Sequence, residues 1–251
     1  MENKLKYYNL GLIEPKFIPA VWEYSSIILP ESPTVFSYTP NETAIKMSGL
    51  VRMDEFFDIE KLPADIKMLR INIFHNSTFI VDPNLLVFML HYPDTEKFKS
   101  SDMAIKALTF KTLRDYGIVL EEKNNDVYFL KDDIRKKFFG MMGKPTREGW
   151  KVTIFSITFA FNSELANRIY KFDSEKFTKK GSITDISKIV GGISEVAPDI
   201  DRDDIRNSVI QKLAERYELP VSEEKLSDND LYQMNNFADR FDNKDWHLYG
   251  K

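Results

Sequence analysis

The sequence predicts an α+β fold in which a mixed, mostly antiparallel sheet packs under helices. Short apolar runs bounded by turn residues fill the first two thirds of the chain, and patterns with apolar residues at helical spacing fill the last third. One run, "GWKVTIFSITFAF", sets Phe155, Ile157, Phe159 and Phe161 on one face at period two, with Ile154, Ser156, Thr158 and Ala160 opposite. A strand with one fully apolar side belongs in the middle of such a sheet.

Near the N-terminus, "PKFIPAVWEYSSIIL" carries Ile18, Val21, Trp22, Ile27 and Ile28 at roughly helical spacing, and "SPTVFSYT" reads as a short strand entered by Pro33 and left before Pro40. Strands follow at Met68–Phe74 and Ser77–Val81, with "HNS" as the turn between them, and the very apolar run from Leu85 to Leu90 suits a buried strand. Ser101 and Asp102 can cap a helix that carries Met103, Ile105, Leu108 and Leu113, ends near Gly117 and covers one sheet face. In "NNDVYFLKDDIRKKFFG" the pattern is a hairpin: Val127–Leu130, a polar turn at Lys131–Asp133, and Ile134–Phe139 returning. Beyond it, Ser163 can cap "ELANRIYKF". Asp201 can cap a helix with Ile205, Val209, Leu213 and Tyr217 at steps of four, and a last amphipathic helix carries Leu231, Met234, Ala238 and Phe241.

With 251 residues, 43% of them hydrophobic and 13% aromatic, the chain can bury a sizeable core as one domain spanning 1–251. It has no cysteine, which removes disulfides, thiolate metal sites and every thiol nucleophile. His75, His91 and His247 stand far apart with none at helix spacing, so no metal site is expected. "DIDRDD" at 199–204 lacks the Gly and the distant Glu of a calcium loop and reads as the acidic start of a helix. A net charge of −4 gives no global basic field, which speaks against nucleic acid as a partner. No window approaches the run of about 18 apolar residues that spans a membrane, so a cytoplasmic protein without a membrane partner is expected.

The stretch "DDIRKKFFGMMGK" concentrates charge beside Phe138, Phe139, Met141 and Met142. Strand alternation separates its lysines, with Lys136 an outward, solvated neighbour and Lys137 facing inward. Gly140 leaves room for the backbone to approach a ligand. An ordinary edge strand defended by lysines is the plain alternative.

The order of several motifs resembles the biotin/lipoate protein ligase family, closest to the lipoate–protein ligase A branch, over nearly the whole chain. The residues that carry the likeness are "NDV" at Asn125–Val127, "KKFFG" at Lys136–Gly140, "KKGSITDISKI" at Lys179–Ile189, the acidic-capped helix in "APDIDRDDIRNSVIQKLAERYEL", and the closing "NKDWHLYG" with Trp246 and Gly250. Arg70 stands for the family's arginine and Asp82 for its aspartate. In place of the Gly-Gly-Gly loop the chain has His75, Asn76 and Ser77, and Val81 replaces the histidine before the aspartate.

The resemblance implies a class II synthetase/biotin-ligase-like catalytic domain that attaches or transfers a lipoyl or octanoyl group to a lysine of a carrier domain, directly or through acyl-AMP. ATP and Mg would be its cofactors, and lipoate or octanoate its substrate. The acceptor would be a lipoyl carrier domain or an H-protein-like protein. No C-terminal accessory domain is expected after "WHLYGK", so either a separate accessory ligase subunit supplies it or only part of the reaction occurs. The family's essential lysine falls on Lys137, and its ligand-shaping positions fall on Arg70, His75, Asn76, Ser77, Asn125, Asp126 and Gly140. A fixed cation beside the reacting carbon would stabilise charge on phosphate and carbonyl oxygens, and the guanidinium fork of Arg70 matches a phosphate or a carboxylate. The bland alternatives are a surface arginine and a simple strand entry at Asn125-Asp126. At His75–Ser77 the alternatives are a pocket reshaped for another ligand and a polar turn in a protein that binds no nucleotide. The second function open to the chain is accordingly a ligase-derived binding or regulatory module that recognises a carrier or a small ligand without adenylation.

Overall fold

The computed structural model describes residues 4–21, 32–48, 52–71, 77–98, 101–123, 126–145, 149–172 and 183–241. The main sheet runs, in spatial order, through β11 (Val221–Glu224), β1 (Leu5–Ile13), β2 (Thr34–Pro40), β6 (Leu85–Pro93), β10 (Trp150–Thr158), β9 (Ile134–Pro145), β8 (Asp126–Lys131) and β7 (Leu120–Lys123). β1 pairs in parallel with β11 and β2, and every other pairing in this sheet is antiparallel. A second, three-stranded sheet has the order β4 (Lys67–Ile71), β3 (Ala44–Ser48), β5 (Ser77–Val81). Residues 17–21 are helical, and the helices described in full are α1 (Ser101–Asp115), α2 (Ser163–Ile169), α3 (Arg202–Tyr217) and α4 (Asp228–Phe241). The mixed, mostly antiparallel sheet with helices is the architecture that the sequence predicts.

One face of the main sheet takes α1 and α3. Ile105 and Leu113 from α1, and Ile205, Val209, Leu213 and Tyr217 from α3, pack with Phe88, Phe155 and Ile157. The rings of Phe88 and Phe155 stack at 4.6 Å. Tyr217 Oη donates to Ser101 Oγ at 2.7 Å, so the two helices are joined by a buried hydrogen bond as well as by apolar area. The opposite face carries Val87, Met89, Val152 and Ile154, covered by Ala44, Leu69 and Val81 of the small sheet and by Met234 and Ala238 of α4. β6 is therefore buried on both sides, the physical reason for its unbroken apolar run. Ile154, expected on the less apolar side of β10, is buried for the same reason.

Several expectations need correcting in detail. β1, β3, β7 and β11 are strands that the sequence reading left unassigned. β2 keeps Pro40 as its last residue instead of ending before it. The cap of α2 is Asn162, whose side chain accepts from Leu165 N at 3.0 Å, and Ser163 is the first helical residue. On α4, Met234 and Ala238 are buried but Leu231 is exposed. The Asp201 cap holds as expected, accepting from Asp203 N and Asp204 N. Trp22, Ile27, Ile28, Phe74, His75, Asn76, Asn125, Lys179, Trp246, His247 and Gly250 lie outside the described residues.

Candidate functional site

The hairpin of β8 and β9 turns through Asp132 (φ 49°) and Asp133 (φ 61°), a two-residue connection with both residues in the left-handed region. From there Leu130 faces Arg135, Phe129 faces Lys136 and Tyr128 faces Lys137, but Val127 faces Phe139. Phe138 is thus an extra residue on β9, a β-bulge. Its consequence is a change of face. Val127 and Phe129 point into the helix-covered core, so Lys137, opposite Tyr128, lies on the other side of the sheet. Gly140 pairs with Ser156, whose neighbours Phe155 and Ile157 also enter the helix-covered core. In a regular strand positions 137 and 140 would face opposite ways; the bulge brings Lys137 and Gly140 to one face.

Lys136 corrects the sequence reading. It was expected outward and solvated, yet it is half-buried on the core face, and its Nζ donates to Glu195 Oε2 at 2.7 Å. Lys131 approaches the same oxygen at 3.7 Å. A cation on this face needs a carboxylate partner because solvation is reduced there. Glu195 sits at the end of a 3-10 turn, Ile193–Glu195, and its Oε1 accepts from Gly192 N at 3.2 Å.

The main chain of Lys137 is fixed from the same segment. Lys137 N donates to Ile189 O at 2.8 Å and Gly191 N donates to Lys137 O at 3.0 Å, a short parallel pairing that begins where β10 has stopped pairing with β9. Ser194 N donates to Phe159 O at 2.9 Å and ties the segment to the end of β10. Two glycines permit this approach. A Cβ at Gly192 would overlap the main chain of Phe159 and Ala160, and one at Gly191 would stand 2.9 Å from Phe129 Cζ. The "SKIVGGI" stretch is thus shaped to hold the lysine strand.

Arg70 is fully buried on β4. It pairs with Met47, and its Nη2 lies 3.8 Å from Met47 Sδ. Met47 packs with Ile45, Met53, Phe57 and Ile169, on the side of the small sheet away from the main one, whereas the adjacent Leu69 takes the inner side. Burial pulls the guanidinium below its ordinary range. The structure therefore brings Lys137 and Gly140 to one face and leaves Arg70 on a different one. Ser77 opens β5 opposite Ser48, and Asp126 opens β8 opposite Lys123. His75, Asn76 and Asn125 lie outside the described residues. Asp82 is nearly buried, which raises its carboxyl, and its Oδ1 accepts from Asn84 N at 2.7 Å.

The residue that sequence reasoning missed is Lys46. It pairs with Leu69 and shares the inner face with Ala44. Only 1% of it is exposed, and burial pulls its ammonium down to about 7. The signal was a lysine inside the apolar alternation of "AIKMS", legible only once that segment is known to be a strand. The facing sides of the two sheets pack through Val87, Met89, Val152 and Ile154 with Ala44, Leu69 and Val81, and the same sides carry Lys46, Lys137 and Gly140. Among the described residues there is no cluster of His, Asp or Glu that could hold a metal ion, and no helix long and apolar enough to cross a membrane.

No family model matches the sequence. No curated protein matches it. Solved structures do match. A chain from the archaeal lipoylation system of Thermoplasma acidophilum, described as a bi-partite lipoate protein ligase and its E2 lipoyl domain, superposes with a TM-score of 0.81 at 16% identity, over 98% of this chain and 97% of that one. Lipoate-protein ligase A bound with ATP gives 0.75 at 15% identity, over 99% of each chain. LipL1 of P. falciparum in complex with lipoate gives 0.73 at 13% identity, over 99% of this chain and 74% of that one. The resemblance read from the motifs is borne out at the level of fold, which is that of the lipoate–protein ligases.

Proposed function

We propose that the protein is a lipoate–protein-ligase-like enzyme that attaches a lipoyl or octanoyl group to a lysine of a carrier domain, with Lys137 as its essential cation. The observation that carries this reading is the bulge at Phe138, which sets Lys137 and Gly140 on one face of a sheet with the ligase fold. In the first step the substrate carboxylate attacks the α-phosphorus of ATP, giving acyl-AMP and releasing pyrophosphate. In the second the carrier amine attacks the acyl carbon, forming an amide and releasing AMP and a proton. Negative charge grows on phosphate oxygens and then on the carbonyl oxygen, and an ammonium held by a fixed main chain stabilises both without reorganising. Gly140, with Ser156 Oγ at 3.4 Å from where a Cβ would stand, leaves the strand surface low enough for a ligand to lie close. Mg²⁺ would arrive on the nucleotide phosphates, which need few protein ligands. The bi-partite ligase among the matching folds supports a lipoyl carrier domain as acceptor and an accessory ligase subunit as partner, and a cytoplasmic location fits both.

Val81 favours a second reading. It stands where the family has a histidine, and it is buried among the apolar residues between the sheets. A module that grips a carrier without adenylation would tolerate that replacement. Incubation with ATP, Mg²⁺ and octanoate or lipoate, followed by mass spectrometry, decides between them. The enzyme reading expects acyl-AMP and an acylated carrier domain, with at least a hundredfold loss, about 2.7 kcal/mol, on Lys137→Ala. Absence of both products, or an unchanged rate in the variant, refutes it. The module reading fails if the protein retains no lipoyl-type carrier domain in a pull-down.

A further inference from the structure

We propose that Glu195 is a positioning residue for Lys137: by holding the neighbouring Lys136 on the core face of β9, it decides which of two adjacent lysines is presented to the ligand. This role presupposes Lys137 as the reacting cation. The hairpin turn fixes the pairings Leu130–Arg135 and Phe129–Lys136, and β10 fixes Ile157–Phe139 and Ser156–Gly140. The extra residue of β9 can therefore fall only at 137 or 138. With Phe138 as the extra residue, Lys137 stands opposite Tyr128. With Lys137 as the extra residue, Phe138 would take that place and leave the helix-side core in which it is now buried. The choice between the two depends on what holds Lys136 and Phe138 inward.

Phe138 is held by its apolar area, and Lys136 by Glu195. Glu195 Oε2 accepts from Lys136 Nζ at 2.7 Å, and Oε1 accepts from Gly192 N at 3.2 Å. Just before that glycine, Ile189 O and Gly191 N take the N–H and C=O of Lys137. One carboxylate thus ties the turn that grips Lys137 to the residue beside it. The Lys136 side chain is 16% exposed, too little for water to stabilise its charge as it would at the surface. Lys131, at 3.7 Å from the same oxygen, is 40% exposed and can turn to solvent. Among the described residues, Glu195 is the carboxylate paired with Lys136.

An amide at 195 cannot satisfy both partners. Gln has one acceptor oxygen, so either Lys136 Nζ or Gly192 N would face an N–H donor. Lys136 would then stay inward without a counter-ion, or leave the core face and draw the strand with it. Misplacing a reacting group by about 1 Å can cost on the order of 100-fold in rate. A cation that acts on charge developing in the transition state loses kcat when displaced, more than it loses substrate affinity.

The test is Glu195→Gln in the intact chain, read in two ways. Hydrogen exchange of the Lys137 and Gly191 amides needs no activity; it should accelerate about tenfold or more, and by more than that of Phe88 and Phe155 in the sheet centre. With ATP, Mg²⁺, octanoate and a lipoyl-type carrier domain, kcat should fall about tenfold or more while the KM for octanoate stays within about twofold. Adding Lys136→Gln to Glu195→Gln removes the stranded charge and should restore most of both. Asp201→Ala, which weakens the fold at the start of α3, should leave kcat unchanged. Parental exchange at Lys137 in Glu195→Gln, a kcat loss shared by Asp201→Ala, or no recovery in the double variant overturns the assignment. A parent protein that acylates no carrier refutes the enzyme reading instead, and the exchange measurement still decides whether Glu195 holds Lys137 in place.

Discussion

Replacing Gly192 by alanine forces a methyl group into the main chain at the end of β10. The new Cβ would stand 2.5 Å from Ala160 Cα and closer still to the Phe159 carbonyl. Main-chain atoms cannot rotate away as a side chain does, and Phe159 N is held by Asn84 O at 2.8 Å, so the 189–195 segment must lift instead. Overpacking of this kind costs about 1–3 kcal/mol. Lifting also breaks the bond from Ser194 N to Phe159 O, at about 1 kcal/mol, and strains the two bonds to Lys137. The expected loss is about 2–4 kcal/mol in a urea unfolding experiment, a midpoint shift of about 1 M or more. Gly191→Ala is the internal control. Two of the atoms its Cβ would meet are Glu195 Oε1 and Lys136 Cδ, both on flexible side chains, so its cost should be smaller. Amide exchange at Lys137 and Gly191 should accelerate more in Gly192→Ala than in Gly191→Ala. A Gly192→Ala protein within about 0.5 kcal/mol of the parent, or a reversed order of the two variants, refutes the reasoning.

His91 is buried, its Nε2 has no hydrogen-bond partner, and burial pushes its imidazole down to about 3. Protons then bind the unfolded chain in preference as pH falls from 6.5 towards 3, and stability is lost over that window. The loss at pH 5 relative to pH 8 is about 2 kcal/mol from this group, and His91→Leu should remove it; parallel pH–stability curves for parent and variant would contradict this. Glu195→Gln strips the half-buried Lys136 of its carboxylate and should cost about 1–2 kcal/mol, between the values for exposed and buried pairs. A double-mutant cycle with Lys136→Met checks it, and a coupling below about 0.3 kcal/mol would dismiss the pair as inert. Asp201→Ala removes the cap of α3 and should cost about 1 kcal/mol in thermal or urea unfolding; no measurable loss would mean that another group caps the helix.

Local chemistry written into the sequence determined those elements whose signal is complete within one segment. The Phe155 and Ile157 face of β10, the two-sided apolar run of β6 and the Asp201-capped steps of four on α3 read correctly because each depends on neighbours a few residues away. β10 stops at Thr158, short of Phe159 and Phe161, and Lys131, expected in the hairpin turn, ends β8. β1, β3 and β11 were not legible, because they are held by partners far along the chain. β1 lies between β2 and β11 in parallel, pairings that no turn signal announces. The candidate site divides the same way. Lys137 and Gly140 were legible as residues, but strict alternation would have put them on opposite faces, and only the bulge at Phe138 sets them on one. Lys136, which alternation assigned to solvent, faces Glu195 because the chain returns 59 residues later to supply the carboxylate. Arg70 and Lys46 look alike in sequence, each a cation in an apolar run, and which of them turns toward the main sheet is fixed by the pairing of β3 with β4. A sequence specifies side-chain spacing along a strand. The face and the partner each side chain meets depend on registers and bulges that exist only when distant strands have docked.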